Sequence, residues 1–208
     1  GINGYVATIP CFASGTRIAT PTGAVAVERL AADMLVLTAS GKSVPIKWIG
    51  HRRVACHTHP APATVWPLRV SAAAFGEKIP ARDLWLSPDH AVYAEGVLIP
   101  AKYLINDTTI VQVALDEITY WHVELPNHDI LLAEGLPVES YLETGGRAAF
   151  LNGGIVVSLF PDFSSRVWEA EGYAPLVVTG SPLAAVRQRL ADRQAGGADA
   201  LAGLREVP

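Results

Sequence analysis

The sequence predicts an all-β fold followed by a small C-terminal α/β extension. Three observations carry this. Short apolar or alternating runs recur about every 8–12 residues, each bounded by turn chemistry. Fifteen prolines and eighteen glycines punctuate the 208 residues, so no heptad run survives and a coiled coil is excluded. Half of the chain is hydrophobic and 17% is charged, below the ~25% charge of ordinary globular chains, which excludes disorder and leaves enough apolar surface for a sizeable core.

The strands follow in order. Residues 16–20, 24–28 and 34–39 come first, separated by Pro21-Thr22-Gly23 and closed by Ser40-Gly41-Lys42. Runs at 44–49, 68–71, 84–87, 91–94, 109–114, 118–125 and 129–133 continue the series, with Glu95-Gly96 as a further turn. Short helical turns are expected at 72–75 and 101–104, and a short helix at 139–143. A buried strand is expected at 155–160. It is far shorter than the ~20 apolar residues of a membrane helix, and no membrane span is expected. Ser181-Pro182 opens a helix over 182–194, with Ser181 as N-cap and Pro182 at the first helical position. Leu183, Val186 and Leu190 form its apolar stripe, Arg187, Arg189 and Arg193 its charged face, and Gly196-Gly197 its stop. Residues 195–208 read as a loosely held tail.

A weak internal repeat is also visible. Gly23, Val25, Leu30 and Val36 precede Gly96, Leu98, Leu104 and Ile110 by 73 or 74 positions. Both stretches read as glycine, apolar hairpin, short helical turn and strand, which is either two related β halves or a chance match of apolar residues. The organisation expected is a flanking segment over 1–10, a β domain over 11–149 and an extension over 150–208. The start at Gly1 instead of Met leads us to expect a piece of a longer protein, at the end of a surface or secreted chain.

The net charge of −4 gives nothing to attract a phosphate backbone, so nucleic acid is not an expected partner. Two cysteines, Cys11 and Cys56, allow at most one bridge and leave the redox compartment open.

Cys11 stands where an irregular lead-in ending Ile9-Pro10 meets the first strand. A thiol there can attack the Pro10 carbonyl through a five-membered ring, turning the amide into a thioester. Such an N-to-S acyl shift needs a competent sulfur, a proton donor for the leaving nitrogen and a donor for the oxyanion. The other reading of Cys11 is a small buried hydrophobe. In Leu86-Ser87-Pro88-Asp89-His90, a hydroxyl and an imidazole three residues apart flank a proline-bent loop. Ser87 can hydrogen-bond and His90 can carry a proton at one point, with Asp89 tuning the histidine or making the turn. An exposed turn is the alternative. His122, on a strand, and His128, after a Pro-Asn turn, read as site residues or as surface histidines. Cys56-His57-Thr58-His59, with His51 nearby, reads as a zinc site or as a proline-rich surface loop. We expect the loop, and no metal.

Read together, these residues resemble the Hint domain shared by hedgehog autoprocessing domains and inteins. Cys11, Gly15-Thr16-Arg17-Ile18 and the run from Gly23 to Leu30 resemble its opening block. Asp33-Met34-Leu35-Val36-Leu37 follows, with Ala32 where relatives carry glycine. Ser87-x-x-His90 resembles the Thr-x-x-His block, with serine for threonine. Val123-Glu124 through His128-Asp129-Ile130 to Gly135-Leu136 resembles the late block, and the whole covers about residues 11 to 142. Cys11-Phe12-Ala13-x-Gly15-Thr16 with Leu86-Ser87-Pro88-Asp89-His90 looks most like the bacterial, intein-like branch.

The resemblance implies a horseshoe of short strands with pseudo-twofold symmetry and self-processing without a cofactor. Cys11 would attack Pro10, His90 would protonate the leaving nitrogen, Ser87 would hold the scissile peptide, and His128 matches the late-block histidine. The substrate would be the chain's own upstream polypeptide, with water or a small thiol as acceptor. Splicing is not expected, because the late block continues Leu136-Pro137-Val138-Glu139-Ser140 without a terminal His-Asn. Tyr120 stands where many relatives carry the aspartate that activates an acceptor, leaving His122 or Glu124 to substitute. The alternatives are a degenerate Hint module acting as a scaffold and a thiol hydrolase acting in trans through Cys11 and His90.

Overall fold

A computed structural model describes residues 10–142 and 170–203, with side chains as far as residue 196. The expected strand at 155–160 and the tail beyond 203 lie outside the described residues. Within them fourteen strands build two six-stranded sheets and a two-stranded ribbon, with antiparallel ladders throughout.

The first sheet takes β1 (Phe12–Ala13), β6 (Trp48–Ala55), β7 (Leu68–Val70), β8 (Leu84–Leu86), β11 (Ile110–Gln112) and β12 (Glu117–Glu124). Their order is β11-β7-β8-β1-β12-β6. The second takes β2 (Arg17–Thr20), β3 (Gly23–Ala26), β9 (Ala91–Ala94), β10 (Val97–Pro100), β13 (Ile130–Ala133) and β14 (Leu136–Glu139), in the order β10-β9-β14-β13-β2-β3. β4 (Leu35–Leu37) and β5 (Ser43–Pro45) form the ribbon. Inward side chains of both sheets, among them Phe12, Ile18, Leu68, Leu86, Val92, Ile99 and Val123, meet Val36 of the ribbon in one buried cluster. The expected all-β class therefore holds.

The repeat is structural. Arg17 pairs with Ala26 and Thr20 with Gly23 in one hairpin, and Ala91 with Pro100 and Ala94 with Val97 in the other, a constant offset of 74 positions. A 3-10 turn follows each hairpin, at Val27–Arg29 and at Ala101–Leu104. Val27 N–H donates to the Thr16 carbonyl just as Ala101 N–H donates to that of His90, again 74 positions on. Phe12 pairs antiparallel with Leu86, its own counterpart under that offset, so the local twofold passes between β1 and β8. The same symmetry thus sets Cys11 beside the second copy's Ser87 and His90. Ala32 costs this fold nothing, because the left-handed residue of its turn is Asp33 (φ 68°), a type that tolerates that region.

Several local expectations are corrected. The 24–28 run shortens because the chain turns into 3-10 geometry at Val27. The 44–49 run splits, since Pro45 ends β5 and the chain re-enters the other sheet at Trp48. No helical turn forms at 72–75, where Ala73 adopts φ 60° and breaks any right-handed turn. The strand expected to end at 49 continues to Ala55: β6 is an edge strand paired along its length with β12, and its long polar side chains hide the alternation. Cys56–Thr58 and Pro62–Thr64 are 3-10 turns. The helix expected at 139–143 is absent from its described residues. Glu139 ends β14 paired with Ile130, and Tyr141 bridges to Glu124.

The extension docks on the second sheet. Leu98 N–H donates to the Pro175 carbonyl and Val177 N–H to that of Leu98, so this stretch lies along the β10 edge. A helix, α1 (Ser181–Gly203), follows. Its first backbone bond is accepted by Gly180 (φ 93°), so glycine rather than Ser181 occupies the cap and Pro182 falls one position later. The helix also runs through Gly196-Gly197, which removes conformational restriction without stopping the ladder. Leu183, Val186 and Leu190 are buried against the β domain, as their spacing predicts.

Candidate active site

β1 carries Cys11 into the space between β8 and β12. Its residue is fully buried and packs with Tyr120 and Tyr141, while Pro10 is half-buried. Cys11 N–H donates to Ser87 Oγ at 2.7 Å, and Ser87 N–H donates back to the Cys11 carbonyl at 2.9 Å. The Pro10–Cys11 peptide is thus held from its nitrogen side.

The loop after β8 then folds His90 inward. Ser87 and His90 are both buried, which rules out the exposed turn. The His90 ring lies 4.3 Å from the Phe12 ring and 5.0 Å from that of His122, centroid to centroid. Its Nε2 stands 3.2 Å from the Glu139 carbonyl oxygen. Burial lowers the His90 pKa below its ordinary value, while the nearby Glu139 carboxylate and the Cys11 and Glu139 carbonyls pull it back up. Asp89 is not part of this group. Its carboxylate pairs with Lys102 Nζ at 2.5 Å, so it makes the turn and leaves the imidazole to others.

His122 comes from β12 and is fully buried between Phe12 and Tyr141. Burial, then the neighbouring His90, holds it well below the ordinary histidine range. The Pro10 and Ser140 carbonyls face this ring, short of well-formed hydrogen bonds, and oppose that shift. An imidazole N–H near the Pro10 carbonyl can stabilise negative charge on that oxygen.

Two residues escaped the sequence reading. Arg52, given no role in the sequence reading, lies opposite Tyr120 in the β6–β12 register, and its guanidinium acts on the Cys11 thiol. Burial pushes that thiol up to about 12, against the pull of the Arg52 guanidinium. Glu139, read as helix, is buried at the end of β14. Its Oε1 accepts Ala91 N–H at 2.7 Å, and its Oε2 lies 3.7 Å from Nε2 of the buried His128. Both were hidden because a charged residue in a short run reads as surface unless its partners are known.

The acceptor-activating position is filled differently. Tyr120 gives its hydroxyl proton to the Val65 carbonyl at 2.8 Å, and Glu124 pairs with Lys47 at 2.8 Å. Cys56 is buried and Cys11 with it is a free thiol. His57 Nδ1 lies 3.0 Å from the Asp116 carbonyl oxygen and His59 Nδ1 3.0 Å from that of Ala61. No group of three ligand side chains that could hold a metal occurs among the described residues. No described helix is long and apolar enough to cross a membrane.

No curated protein matches the chain. Among solved structures, the MchDnaB-1 intein is similar at 14% identity and a TM-score of 0.46, over 62% of this chain and 99% of its own. The DnaB intein from Synechocystis sp. PCC 6803 gives 9% and 0.44, over 64% and 99%. The bacterial intein-like domain from Clostridium thermocellum gives 12% and 0.40, over 63% and 98%. In sequence, residues 10–145 match the Hint domain family, from the residue before Cys11 to six residues past the end of β14. The chain belongs to the Hint domain family.

Proposed function

We propose that this Hint domain cleaves its own Pro10–Cys11 bond by an N-to-S acyl shift, followed by thiolysis or hydrolysis, without splicing. The observation that carries the reading is the grip on the scissile peptide: Ser87 Oγ accepts the Cys11 N–H at 2.7 Å, with the His90 ring beside the same residue.

The chemistry balances without a cofactor. The Cys11 thiol gives up its proton and Sγ bonds to the Pro10 carbonyl carbon. The carbon–nitrogen bond then breaks, and the proton ends on the Cys11 nitrogen. No net proton is taken up, so a neutral imidazole that first accepts and then donates suffices. Burial keeps His90 in that neutral form. His122 stabilises the oxyanion on Pro10, and Arg52 favours the thiolate. The thioester then passes its acyl group to water or a small thiol. His128 and Glu139 back up His90 from the far side.

One observation favours the scaffold reading instead. A thiol at about 12 leaves on the order of 10⁻⁵ of Cys11 as thiolate at pH 7, so cleavage is slow unless the imidazole takes the proton in step. Incubation of the full chain with dithiothreitol separates the two. The expected product is a fragment beginning at Cys11, formed over hours and absent from Cys11→Ala. An intact chain after days would leave the scaffold.

A further inference from the structure

We propose that the C-terminal extension is a positioning element for this site, in which the backbone amide of Tyr173 fixes the tautomer of the His128 ring and, through Glu139, the placement of His90. The proposal rests on the reading of His90 as the proton carrier.

Tyr173 N–H donates to His128 Nδ1 at 3.0 Å. A ring nitrogen that accepts a hydrogen bond carries no proton, so the neutral ring has its proton on Nε2. That nitrogen is the one facing Glu139 Oε2 at 3.7 Å. The same Glu139 is tied by Oε1 to Ala91 N–H, and its carbonyl lies 3.2 Å from His90 Nε2. A chain of contacts therefore runs from the extension through two side chains to the loop that holds the scissile amide.

The donor is held in place from both sides. The Tyr173 ring meets Tyr93 edge-on at 5.6 Å, and Ala174 packs on Ala91, Leu98 and Ile130. Beyond it, the backbone bonds between Leu98 and both Pro175 and Val177 seat the strap on the sheet edge, and α1 anchors its far end. On its other side, Ala170 and Glu171 wall a cavity of about 360 Å³ that reaches His128 and Tyr141. Without the strap, His128 Nδ1 would meet solvent from that cavity, and either ring nitrogen could carry the proton.

Nitrogen-15 spectra of the full chain test this before any thiol is added. In the unaltered protein we expect a scalar coupling across the hydrogen bond between the Tyr173 amide nitrogen and His128 Nδ1, with Nε2 protonated. Tyr173→Pro deletes the N–H. It should abolish the coupling, mix the His128 tautomers, shift the His90 ring signals and slow thiolysis at least fivefold. Tyr173→Ala keeps the N–H and should keep the His128 tautomer. Absence of the coupling in the unaltered chain overturns the proposal even if the proline variant does not fold, as do unchanged His128 and His90 signals in a folded one. If the unaltered chain never cleaves, the functional reading fails while the ring spectra still decide this one.

Discussion

Cys11 and Ser87 exchange two hydrogen bonds, one through the serine hydroxyl and one through its backbone, across strands whose residues are 76 positions apart. The Pro10–Cys11 amide N–H is therefore satisfied by a group that carries both lone pairs and a proton.

Ser87→Ala leaves the buried Cys11 N–H without that partner. An unsatisfied buried donor costs about 1–3 kcal/mol, so the midpoint of urea unfolding should fall accordingly. Cleavage should slow by at least tenfold, while Ser87→Thr keeps both. A Ser87→Ala chain that cleaves at the parent rate would remove the hydroxyl from the mechanism.

Arg52→Met tests the guanidinium beside the thiol. With its pull gone, burial and the nearby Glu139 carboxylate act unopposed and the Cys11 pKa rises further. Thiolysis at saturating dithiothreitol should slow about threefold to tenfold. Stability should not fall with it, because Arg52 Nε is buried with no hydrogen-bond partner and its removal relieves that cost. Equal rates in the two proteins would assign Arg52 a packing role.

The buried histidines make stability depend on pH. His90 and His122 are held below their ordinary value in the folded chain, chiefly by burial. Below about pH 6.5 the unfolded chain protonates both rings while the folded chain resists, so the unfolded state binds more protons and stability falls with pH. Above 6.5 both states are neutral and this contribution is constant. Each ring supplies up to about 1.4 kcal/mol per pH unit inside that window. Urea unfolding at pH 7.5, 6.5 and 5.5 should show the loss confined to the last step and smaller in His122→Phe. The same slope in both proteins would show that His122 takes up its proton in the fold as readily as in the unfolded chain.

Much of the site was legible locally. Cys11, Ser87, His90, His122 and His128 sit in short runs bounded by Pro, Asn and Gly, and turn chemistry marks where such runs begin and end. The repeat was visible for the same reason, since each hairpin carries a glycine and apolar spacing, although the glycines align at 73 positions and the strand pairing at 74. Of the two readings of Asp89, tuner of His90 or turn residue, its pairing with Lys102 leaves the turn, because a side chain's partner is set by a neighbour that sequence order does not reveal.

What the sequence determined by itself was the β class, the repeat and the residues able to do chemistry, because period and turn propensity act over a few bonds. Only the tertiary structure decided that Arg52 and Glu139 belong with them, and that the extension reaches His128. Those facts depend on burial and pairing between strands dozens of residues apart, where the loss of water turns an ordinary surface charge or amide into a specific partner.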